Sequence, residues 1–142
     1  MMLVAILGLS AIELTSQYLE SGWVRTAAEQ VVGALQQARQ YAIANAATYT
    51  VTLTGSSLVV ACTAGCPPSA PNEPATPLTG GATTSPTSLT ITFDAMGCAN
   101  SVVTPCDTGT TQTVTISYPG ATSWQVRVSP SGRIRACSPS CA

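Results

Sequence analysis

The sequence predicts an α+β chain in which one long N-terminal α-helix, apolar in its first half, packs on antiparallel β-sheets. Three observations carry this reading. A helical period runs to about residue 46, the period switches to two at Thr48, and the remaining chain is a series of short alternating runs separated by glycine-bearing turns.

The helix has two characters. "MMLVAILGLSAI" is apolar except for Ser10, and a polar stretch begins at Glu13. From Trp23 onward, Val24, Ala28, Val31, Leu35, Ala38 and Ala42 recur at spacings of 4, 3, 4, 3 and 4, a stripe nearly as regular as a coiled-coil seam. The good helix formers of "SQYLES" join the two parts, with Gly22 the weak point. One helix of about 44 residues would be about 66 Å long, too long for a compact domain of this size. Its first half is therefore expected to project from a head. The chain divides accordingly into residues 1–23, an anchor or filament-core half-helix, and residues 24–142, a head with helix 24–46, a β-domain over 48–137 and a stapled tail at 137–141. Twelve apolar residues are too few to span a bilayer, which takes about 20.

"TYTVTLTGSSLVVACT" reads as a hairpin, with strands at 48–54 and 57–63 around Gly55-Ser56. Residues 64–88 hold six prolines and read as a long irregular loop. Further strands follow at 89–95, 112–118, 123–129 and 132–137, with turns at Met96-Gly97, Pro119-Gly120 and Ser131-Gly132. Alternation puts Val114, Ile116, Trp124, Val126 and Val128 on inward faces. Trp23 and Trp124 read as packing residues rather than base-stacking platforms.

Six cysteines form three neighbouring couples, Cys62/Cys66, Cys98/Cys106 and Cys137/Cys141, in Gly- and Pro-rich surroundings. The preferred reading is three local disulfides and an oxidising compartment. The alternative is a zinc site, which without histidine needs four thiolates brought together from different couples.

Charged residues make up only 8% of the chain and the net charge is −1, so bulk electrostatics predict no polyanion partner. The distribution is uneven, however. There is no lysine, and from Thr108 to Ala142 there is no Asp or Glu, while Arg127, Arg133 and Arg135 all fall there. The absence of histidine, of a phosphate-binding glycine loop and of a nucleophile elbow argues against an enzyme, and no cofactor or metal is implied. Asp94 reads as a turn residue and Asp107 as a solvated one.

Several strings resemble the GspH/FimT family of type IV pilin-like minor pilins and pseudopilins. "AEQVVGALQQARQYAIANAATYTVTL" looks like the family's junction between long helix and first strand. "ITFDAMG" is similar to its phenylalanine strand and glycine turn, and "VRVSPSGRIRAC" to its closing signature. The resemblance covers about residues 1–137. It implies a type IV pilin-like fold and a filament subunit that associates with other pilins or pseudopilins through the N-terminal helix. It also implies a single-pass inner-membrane stage before assembly, then a place in a pilus or pseudopilus. Gly8 and Glu13 have the spacing of a pilin processing site, but the sequence after Glu13 is polar where it should be apolar. Aligned by hydrophobicity, Met1 is expected to fall several residues into the mature helix, with the leader lost to truncation or a late start, and prepilin peptidase enters as a partner by resemblance alone.

The same resemblance bears on the tail. In FimT-type minor pilins a Gly-Arg-x-Arg tail is tied to DNA capture in natural transformation, and Gly132, Arg133 and Arg135 match it, with Arg127 read as an extension of the patch. Two arginines two apart on a strand share a face, and their guanidiniums suit phosphate bidentately. Three readings follow: a DNA-binding minor pilin, a type II secretion pseudopilin without a DNA role, and a major subunit whose arginines only protect an edge strand.

Overall fold

All six positions of the predicted stripe, Val24, Ala28, Val31, Leu35, Ala38 and Ala42, are fully buried along one helix, α1 (Met2–Asn45). The computed structural model describes residues 2–99, 106 and 109–141, with side chains described from Glu20 onward. Among the described residues no helix is long and apolar enough to cross a membrane.

The helix stops through its backbone. Ala46 takes the left-handed conformation at φ 47°, the Ala47 amide donates to the Ala42 carbonyl at 3.0 Å, and the Ala46 amide donates to that of Ile43 at 3.4 Å. This is a Schellman closure, normally made with glycine. It turns the chain straight into the first strand.

Two four-stranded sheets follow. The first has the order β3-β2-β1-β5, with β1 (Thr48–Thr54), β2 (Ser57–Ala64), β3 (Glu73–Pro77) and β5 (Ser88–Phe93). The second has the order β4-β6-β7-β8, with β4 (Thr83–Ser85), β6 (Gln112–Ser117), β7 (Trp124–Val128) and β8 (Ile134–Cys137). All pairings are antiparallel. Period-two alternation sends Tyr49, Val51, Leu53, Val60, Ile91 and Phe93 inward from the first sheet and Val114, Ile116, Val126 and Val128 from the second. Both inner faces meet the buried stripe of α1 in one core. Trp124 is half-buried against that core, and Trp23 meets Tyr118 edge-on at 5.6 Å.

The expected irregular loop over 64–88 is corrected by the structure. It contains β3, a 3-10 turn at Thr79–Gly81 and β4, and it seats Leu78 and Ala82 in the core. Proline-rich sequence hides such strands because proline lacks a ladder donor, but β3 is an edge strand, where Pro74 and Pro77 are tolerated. Gln30 on α1 pins the segment: its Nε2 donates to the Pro77 carbonyl at 3.0 Å, and its Oε1 accepts from the Thr79 amide at 3.1 Å. Each cysteine couple is closed as a disulfide, Cys62–Cys66, Cys98–Cys106 and Cys137–Cys141, and no described cysteine is free for zinc. Asp94 makes the turn after β5, its Oδ1 accepting from the Met96 and Cys98 amides at 2.9 Å each. Asp107 lies outside the described residues.

Candidate functional site

The β7–β8 hairpin is built by "SPSG". Pro130 presets the first loop dihedral and Gly132, at φ 81°, takes the left-handed position of a three-residue loop. The Gly132 amide donates to the Ser129 carbonyl at 2.9 Å, and the Ser129 amide to the Arg133 carbonyl at 3.0 Å. The Ser129 hydroxyl also accepts from the Arg133 amide at 3.2 Å.

Register then decides which side chains meet. Arg127 pairs directly with Arg135, while Val126 and Val128 face the core. Arg127 and Arg135 thus stand opposite each other on the outer face of the second sheet. Directly opposed like charges destabilise a sheet, so the pair needs a reason other than folding. Arg133, one residue before β8, joins them. The three arginines line a shallow groove of about 200 Å³ with Thr111, Ser129 and Cys141. Among the described residues no carboxylate lines this groove.

The three are held differently. Arg133 and Arg135 are exposed and have no ion pair among the described residues; the ion pair there joins Arg25 to Glu29 on the helix surface. Arg127 is half-buried, and its Nη1 donates to the Cys141 carbonyl at 3.2 Å. That carbonyl is in place because the Cys137–Cys141 disulfide folds the tail back across β7, where the Cys141 amide donates to Gln125 Oε1 at 3.1 Å.

Gly132 does not face the groove. It is buried, and a Cβ there would collide with the Gly97 carbonyl and lie 2.8 Å from Arg39 Nε. The same Arg39 Nε donates to the Gly97 carbonyl at 3.1 Å, and the Ala99 amide donates to the Pro130 carbonyl at 3.0 Å. The glycine therefore lets the hairpin tip dock on the turn after β5 and on the helix. Sequence reasoning brought Arg127, Arg133 and Arg135 forward, but it missed Arg39 beneath the tip and the Cys141 carbonyl. An arginine among helix polar residues carries no mark of a contact 58 positions away, and a backbone carbonyl carries none at all.

The comparisons with known proteins agree with this architecture. Two crystal forms of the type IV minor pilin FimU from Pseudomonas aeruginosa share the fold. One is 21% identical, with a TM-score of 0.62, over 83% of this chain and 90% of FimU. The other is 23% identical, with a TM-score of 0.59, over 81% of this chain and 96% of FimU. A comparison with curated proteins found no match. The long helix on two antiparallel sheets is thus the type IV pilin fold. Residues 27–132 match the family described as GspH, type II transport protein, and the chain belongs to that family of minor pilins and pseudopilins.

Proposed function

We propose that the protein is a FimT-like minor pilin of a type IV pilus that captures DNA for uptake through the Arg127–Arg133–Arg135 groove. Its apolar half-helix sits in the inner membrane before assembly and then packs among the helices of other pilins, as the apolar Met1–Ile12 run and the family resemblance support. The observation that carries the DNA reading is the opposed Arg127/Arg135 pair, joined by Arg133 in a groove that no carboxylate lines among the described residues. Three clustered cations on an otherwise sparsely charged chain suit a phosphate backbone and read no base sequence. Binding by one head is then weak, and several subunits in one filament supply avidity.

The family description, a type II transport protein, favours a second reading: a pseudopilin whose groove binds no DNA. Titrating the full chain in detergent micelles with double-stranded DNA separates the two. Three phosphate contacts give a log–log salt slope of about −2.7, and Arg133→Ala/Arg135→Ala should remove most of the binding. Absence of binding by the parent, or equal binding by the double variant, favours the pseudopilin.

A further inference from the structure

Arg127 differs from its two neighbours in being tied down before any ligand arrives. Beyond Cys137 the chain has left the sheet, and an unclosed end would leave the Cys141 carbonyl without a fixed position. Three contacts return it to the outer face of β7: the Cys137–Cys141 disulfide, the Cys141 amide on Gln125 Oε1 at 3.1 Å, and the Ser138 hydroxyl on the Ser123 carbonyl at 3.3 Å. The returned carbonyl then takes one Nη1 donor of Arg127. A guanidinium has five donors, and among the described residues the side chain spends one, leaving the others to the groove side, where Arg135 stands opposite in register.

We propose that the ring closed by Cys137 and Cys141 is a positioning device that turns Arg127 into the groove, so that it acts with Arg133 and Arg135 on one polyanion. The proposal rests on reading the groove as a phosphate-binding site. Its physical basis is preorganisation: an arginine that has already given up rotamer freedom loses less on binding than a free one. Cys141 and Gln125 are positioning residues and need not touch the ligand. The other five-residue ring, Cys62–Cys66, provides the control, since it lies at the end of β2 and outside the groove.

The test uses the full chain in detergent micelles with two readouts. The first is modification by a dicarbonyl reagent, mapped by peptide mass. In the parent, Arg127 should react roughly three- to tenfold more slowly than Arg133 and Arg135, reflecting its held hydrogen bond. In Cys137→Ser/Cys141→Ser its rate should rise to theirs, and in Cys62→Ser/Cys66→Ser it should not change. The second is the salt dependence of binding to double-stranded DNA. Opening the tail ring should reduce the slope by about 0.9, the loss of one phosphate contact, and adding Arg127→Ala should reduce it no further. Gln125→Ala keeps the disulfide and should move both readouts the same way by less, which guards against a folding defect in the double variant. An Arg127 rate indifferent to both changes overturns the proposal, as does tighter DNA binding on opening the ring. If the parent binds no DNA, the functional reading fails, while the modification rates still decide whether the ring positions Arg127.

Discussion

The two sheets have matching inner faces and different outer ones. Each buries apolar side chains against the same helix stripe, the first sheet with Tyr49 and Phe93 among them and the second with Val and Ile. Outward, the first sheet presents hydroxyls, with Thr50 opposite Thr92 and Thr52 opposite Thr90, whereas the second presents Arg127 opposite Arg135. Cross-strand threonines suit a half-solvated sheet, and opposed arginines work against one. The inner faces answer to folding in both sheets, and only the second outer face carries a feature that folding does not explain.

The strongest way to break this comparison is through the core. Ile91→Ala in the first sheet and Ile116→Ala in the second each remove a fully buried side chain and should each lower stability by about 2–5 kcal/mol. Chemical denaturation of the two variants is the check. If the second sheet lost far less, the two inner faces would not share one core.

Much of this was legible in the sequence. The helix stripe and the alternating strands appear because burial imposes periods of 3.6 and 2, and those periods survive in Val24, Leu35, Val51 and Val126. The Gly132, Arg133 and Arg135 tail was equally visible as a local string. What stayed hidden depended on register or on main-chain atoms: β3 behind its prolines, the direct Arg127–Arg135 pairing, the Cys141 carbonyl, and the Arg39 contact beneath Gly132. The two five-residue cysteine rings make the point. "CTAGC" and "CSPSC" have one spacing, but only the second is carried over the face that holds Arg127.

Two left-handed positions differ in the same way, one where α1 enters the first sheet and one in the last hairpin of the second. Gly132, at φ 81°, sits under the second sheet's hairpin, with the Gly97 carbonyl and Arg39 filling the space a Cβ would need. Gly132→Ala should therefore lose more than about 2 kcal/mol, the left-handed penalty plus the displaced contacts. On the proposed function, DNA binding should fall with it, because the turn that presents Arg133 has to move. A denaturation midpoint unchanged from the parent would show that the tip does not depend on this packing.

Ala46, at φ 47°, occupies the same backbone region where α1 enters the first sheet, but its residue is exposed. The left-handed conformation costs a non-glycine residue about 1–2 kcal/mol, and glycine gives back part of that through its larger unfolded-state entropy, about 0.5–1 kcal/mol. Ala46→Gly should thus stabilise the protein by a few tenths to about 1 kcal/mol, read as a higher denaturation midpoint at unchanged slope. Groove binding should not change, since the closure touches only Ala42, Ile43 and Ala47. The opposite signs at residues 46 and 132 would separate strain held in an open helix end from a glycine required by crowding. A loss of stability at both would mean that the helix end is set by contacts other than its own closure.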